Sequence, residues 1–156
     1  MTLAVSTYQW YAMVHILMAV LWVGGAHAIQ LFAVRILKAN DPQRTAAFSK
    51  DVEWIGMRVF APASLLLVIF GFLLVEEGDI GYPFWVLFGL GVFAFSFFSG
   101  ILFLGPESGR IGKLIETEGA AHPEVQRRIK RILLYSRVEL LLLLLVVVDM
   151  AIKPFS

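Results

Sequence analysis

Four stretches of this chain, residues 8–37, 58–75, 83–104 and 133–153, are each apolar over a length that can cross a bilayer, whose hydrocarbon core takes about 20 residues of helix. No other feature restricts the fold so tightly. In hydrocarbon every backbone N–H and C=O needs an internal partner, so the four stretches predict an all-α chain: one four-helix transmembrane bundle over residues 1–156. Composition agrees. Of the residues 59% are hydrophobic and only 16% charged, against about 25% charged in a soluble domain. The first stretch contains Ala26-His27-Ala28, which mimics a signal-peptidase site. No basic residue precedes it and its apolar run is too long for a leader's core, so it is read as a span.

The cations set the orientation, because short cytoplasmic connections carry excess Lys and Arg. Arg35, Lys38, Arg44, Lys50 and Arg58 lie in and beside the first connection; Arg110, Lys113, Arg127, Arg128, Lys130, Arg131 and Arg137 lie in and beside the third. The second, Glu76-Glu77-Gly78-Asp79, has none, and only Lys153 of the 13 remains. Both termini are therefore expected outside. A net charge of +1 gives no pull toward nucleic acid, and the lack of cysteine removes disulfides, thiolate metal sites and cysteine nucleophiles together. There is no Gly-rich phosphate loop, no G-x-S-x-G elbow and no H-E-x-x-H, which argues against ordinary hydrolysis. No internal repeat stands out.

The two basic connections are long enough to carry short amphipathic helices of their own. Asn40-Asp41-Pro42 reads as an N-cap followed by proline at the first helical position, and His122-Pro123 starts the fourth helix in the same way. A helix from there to Lys153 is about 46 Å long, more than the hydrocarbon core, so Arg127-Arg128-Ile129-Lys130-Arg131 falls at the cytoplasmic headgroups. Anionic lipid is the expected partner of that stripe.

Ionisable residues within spans are costly and mark function by default. His15 and His27 share the first span, about 18 Å of rise and about 120° apart, so they cannot hold one ion between them. Tyr8, Tyr11, Met18, Trp22, Gly25, Ala26 and Ile29 share His15's face at 100° per residue, a stripe of aromatic and small side chains suited to the bundle interior. Asp149 and Lys153 are four apart and can pair. With the orientation above, His15 and Asp149 lie in the outer half, where the carboxylate can orient the imidazole as a metal or haem ligand. His27, Arg58, Arg137 and Glu139 lie in the inner half and read as a structural ion-pair network. His15 has an equally simple structural reading, a hydrogen bond to a neighbouring helix.

Pro62 frees a carbonyl in the second span. The Phe-rich third span reads as a lipid-facing and core surface. Two further classes of function compete with a cofactor site. His15 with Met18, Met13 and Met150 makes an imidazole and thioether set for Cu(I). Alternatively the bundle is a non-catalytic scaffold that associates with itself or with other membrane proteins through its small-residue faces.

His15-x6-Trp22-x2-Gly25, Arg58-x3-Pro62-x8-Gly71 and the terminal Lys153-Pro154-Phe155 together resemble the membrane-bound, haem-associated protoporphyrinogen IX oxidase. They are still more similar to an uncharacterised family of small bacterial integral membrane proteins related to it and, more distantly, to the copper-resistance D proteins. The resemblance implies a multi-pass protein of the bacterial inner membrane with His15 as a haem b ligand, active in electron transfer or haem metabolism. In that reading Trp22 and Gly25 shape the pocket, Asp149 orients or neutralises it, and Arg58 meets a haem propionate or an anionic headgroup. The third span departs from the oxidase pattern, which has a lysine after a tryptophan: Trp85 is present, but no lysine occurs in residues 86–104. The resemblance therefore extends to the scaffold and the haem rather than to the oxidase reaction.

Overall fold

The computed structural model describes residues 5–154, so Phe155 of the terminal motif lies outside the described residues. Four long helices account for nearly all of it: α1 Thr7–Ala39, α2 Pro42–Glu77, α3 Phe84–Glu118 and α4 Pro123–Ile152. Their starts follow local chemistry. Ser6 and Gln9 form a reciprocal capping box on α1, Asp41 accepts a hydrogen bond from the Arg44 N–H at 3.1 Å, and His122 Nδ1 accepts from the Glu124 N–H. His122 is thus the cap expected at the start of the fourth helix. Asn40 and Lys153 close α1 and α4 in the left-handed region, at φ 56° and 50°.

The helices expected within the basic connections are not separate elements. They are extensions of α2 and α3, reached through single turns of π-helix at Gly56–Phe60 and Gly100–Leu104. Each such turn is followed by a proline, in Gly56-x4-Ala61-Pro62 and Gly100-x4-Gly105-Pro106. Proline has no N–H to offer and its ring crowds the carbonyl four residues back, and the wider turn relieves both. In each case the residue before the proline bonds five back, Ala61 N–H to Gly56 O and Gly105 N–H to Gly100 O. The two turns share this six-residue spacing from glycine to proline. A third π turn, Val20–Gly24, interrupts α1 without a proline.

Three helices, α1, α2 and α3, are long and apolar enough to cross a membrane. Helix α4, expected as a fourth span, is not among them. Every 18-residue stretch of α4 that covers its leucine run holds at least three charges, always including Arg137 and Glu139. The helices pack as antiparallel neighbours through small residues. On α1 and α2, Tyr8 meets Gly78, His15 meets Gly71 and Gly25 meets Phe60; on α2 and α3, Met57 meets Gly105, Glu53 meets Gly109 and the Ala46 carbonyl meets Gly112. α3 and α4 close the bundle, with Gly89 against Met150 and Phe95 and Phe103 against Tyr135. Buried residues form three clusters along this axis: Val75, Trp85 and Val86 at one end, Trp22, Val92 and Leu143 in the middle, and Ala46, Ile111, Ile115, Val125 and Ile129 at the other. Large apolar side chains such as Leu17, Leu31, Leu65, Leu87, Leu102 and Leu141 stand exposed around the outside.

Candidate functional site

Two pockets, both partly open to the outside, flank the middle cluster. The larger, about 630 Å³ and expected to be the outer one, is lined by His15, Gly71, Trp85, Gly89, Met150, Lys153 and mostly apolar residues; the smaller, expected to be the inner one, is about 180 Å³. Trp22 and Leu143 line both. The Trp22 indole is buried and meets Phe93 edge-on at 5.9 Å, so it forms the partition.

His15 owes its position to backbone and to glycine. Its Nδ1 lies 2.8 Å from the Leu67 carbonyl oxygen, which can only accept, so Nδ1 carries the proton and Nε2 keeps the lone pair. A Cβ on Gly71 would stand 3.1 Å from the ring's Cε1 and 3.3 Å from Nδ1. A side chain there would crowd the ring by a few tenths of an ångström. Metal-binding histidines use this arrangement, with the far ring nitrogen fixed by a carbonyl or carboxylate. The carboxylate expected in that role does not fill it: Asp149 is buried, its Oδ2 has no partner, and it does not line the cavity. Nor does Asp149 pair with Lys153. The Lys153 ammonium instead sits 5.2 Å over the Trp85 ring.

Two other assigned residues fall elsewhere. Gly25 lines neither cavity; a Cβ there would reach within 2.7 Å of the Phe60 ring, so this glycine serves a helix crossing. Arg58, in the Gly56–Phe60 turn, is exposed and also lines neither. The inner ion-pair network does not form, because His27, Arg58 and Arg137 are exposed while Glu139 is buried away from them. Met13 and Met18 are absent from the outer cavity wall, and Met150 is on it. Among the described residues no group of three or more His, Cys, Asp or Glu converges on a common point.

The polar groups that sequence reasoning passed over are Trp85 and Lys153 in the outer cavity and Ser96 beside Glu139 in the inner one. Trp85 Nε1 is a buried donor with no partner. A tryptophan opening an apolar span gives no sign of such an orphan; only its neighbours reveal it.

The basic stripe of residues 127–131 is partly consumed by the protein itself. Arg128 Nη1 donates to both oxygens of the buried Glu107, at 2.7 and 2.8 Å, and its Nε donates to Glu124. Arg127 pairs with Glu124 at 2.7 Å, and Arg131 lies 5.0 Å over the Phe103 ring. The hydrogen bond from Arg127, then that from Arg128, holds the Glu124 carboxyl below its ordinary value of 4.5, and Glu107 holds the Arg128 guanidinium above its own.

No curated protein and no solved structure matches this chain. A family model matches residues 10–154, nearly the whole length, and the chain belongs to that family, described as predicted integral membrane protein (DUF2269).

Proposed function

We propose that this protein spans the bacterial inner membrane four times and holds haem b in its outer cavity through His15 Nε2. The observation that carries the reading is the Nδ1–H bond to the Leu67 carbonyl, which leaves the other nitrogen available on a cavity wall. A volume of about 630 Å³ falls in the usual range for cofactor sites, about 300–1,000 Å³. The lining is mainly apolar, as a porphyrin face requires. An unpartnered Trp85 N–H and the Lys153 ammonium supply a donor and a charge for an anionic substituent, the part first assigned to Arg58. Bound haem would supply a one-electron centre. The chain's own share is to hold the imidazole tautomer through Leu67, keep space through Gly71, and exclude water with Trp22 and its neighbours.

α4 crosses with the other three in this reading although it carries more charge. Leu141, Leu145 and Val148 turn an exposed apolar face outward, while Glu139 and Asp149 are buried inside, so lipid meets no carboxylate. Both termini lie outside, with anionic headgroups at the cytoplasmic extensions. The scaffold is akin to the haem-associated oxidase, without its third-span lysine. The role is electron transfer or haem metabolism.

A second reading rests on Met150, whose thioether shares the outer cavity with His15: the pair could hold Cu(I). One measurement separates the two. Protein purified in mild detergent and supplied with haem is expected to show a Soret band that His15→Ala removes. A copper signal in metal analysis, with no Soret band, would select the second reading, and neither signal would end both.

A further inference from the structure

The inner cavity contains an electrostatic imbalance that the haem reading does not use. Glu139 is 6% exposed and, among the described residues, is the only ionisable side chain on that cavity's wall. The groups turned toward the cavity are neutral on every element: Gln30 from α1, Ser64 from α2, Ser96 from α3 and Ser136 from α4. Arg137, two residues from Glu139 on the same helix, is exposed. Gln30 Nε2 already donates to Ser136 Oγ, and Ser64 Oγ to the Ala61 carbonyl. Glu139 lies against the Ser96 and Ser99 hydroxyls. Even so, Glu139 Oε2 and Ser96 Oγ are both buried without a partner.

A buried carboxylate with no protein counter-charge is costly, so it must either carry a proton or take a cation from outside. The oxygens around it are hard donors, of the kind that suit small hard cations. About 180 Å³ leaves room for such an ion with several waters, and the cavity extends from Glu139 to Thr45 and Ser108 on the cytoplasmic extensions of α2 and α3. We propose that Glu139 and Ser96 form a site for one small cation, a proton or an alkali-metal ion, independent of whatever the outer cavity binds.

Dicyclohexylcarbodiimide tests this, because it converts a protonated buried carboxyl into a stable acylurea that mass spectrometry locates in the wild-type protein. The protein in detergent is treated from pH about 5.5 to about 9, a range wide enough to cover a displaced carboxyl. Sodium, potassium or choline chloride is present in separate samples. Modification at Glu139 that falls as pH rises supports the proton form of the site; saturable protection by sodium or potassium, absent with choline, supports the metal-ion form. In either case Ser96→Ala should move the pH midpoint or the half-protecting concentration by about threefold or more, the worth of one hydrogen bond. Glu139 left unmodified throughout, or modified equally under every condition, would overturn the proposal. Glu139→Gln serves as the blank, and Glu139→Ala replaces it if that variant does not fold.

Discussion

The His15 ring lies against the α2 backbone where Gly71 has no side chain, and its Nδ1–H reaches the carbonyl of Leu67, one turn before that glycine. Ring, glycine and carbonyl form one unit on two helices. Gly71→Ala places a methyl 3.1 Å from the ring's Cε1 and 3.3 Å from Nδ1, so the imidazole must give by a few tenths of an ångström and its hydrogen bond is disturbed. The expected result is haem affinity about tenfold weaker, with helix content unchanged, read by titration of the purified variant against wild type. Equal affinity would mean that the ring does not depend on this contact.

Trp22 separates the two cavities, so Trp22→Ala should join them. Because the indole already borders space on two sides, it has fewer neighbours to lose than a fully packed one. The cost should fall near the lower end of the about 3–5 kcal/mol seen for large aromatic truncations. Thermal unfolding in detergent measures it, and Trp22→Phe should recover most of the loss.

At the basic end of the bundle, Arg127 and Arg128 are adjacent in sequence but unequal in burial. The Arg127 side chain is 77% exposed and that of Arg128 30%, while the Glu107 carboxylate which Arg128 neutralises is only 5% exposed. Arg128→Ala leaves that carboxylate with only the exposed Arg110 guanidinium, 3.9 Å away, and should cost about 3 kcal/mol. Arg127→Ala should be close to neutral at pH 7. Paired unfolding curves decide between this order and its reverse.

The same cluster gives a pH dependence. Arg127 and Arg128 hold the Glu124 carboxyl below 4.5, its ordinary value. A depressed folded-state value contributes stability above the unfolded value, and that contribution is lost as pH falls below about 4.5 through the folded value. Melting temperature should therefore drop on acidification below about pH 4.5, and less steeply in Arg127→Ala. Parallel curves for the two proteins would exclude Glu124 as the source.

The lack of native cysteine makes topology directly measurable, since single introduced thiols report alone. Asp79→Cys and Lys153→Cys should react with an impermeant reagent from outside intact cells, whereas Lys113→Cys and Lys130→Cys should react only after permeabilisation. Labelling of Lys153→Cys and Lys130→Cys from the same side would show that α4 does not cross.

The helices were legible in the sequence, including the starts at Asp41 and His122, because capping and proline position depend only on neighbours along the chain. The same holds for the apolar stretches and the placement of cations, and for the choice of His15 and Trp22 as inward-facing residues. What failed was any assignment that needed to know which helix stands opposite. Counting at 100° per residue placed Gly25 on the His15 face, but the π turn at Val20–Gly24 shifts the helix register before that residue, and Gly25 meets Phe60. Arg58 lies in a second such turn and points out. The partner of His15 is a main-chain carbonyl, which every residue has and no pattern singles out. The isolation of Glu139 is likewise visible only once the residues around it are known. Local chemistry is written along the chain and determined the elements, whereas the surroundings of a buried polar atom come from other helices, and only their packing decided what each one meets.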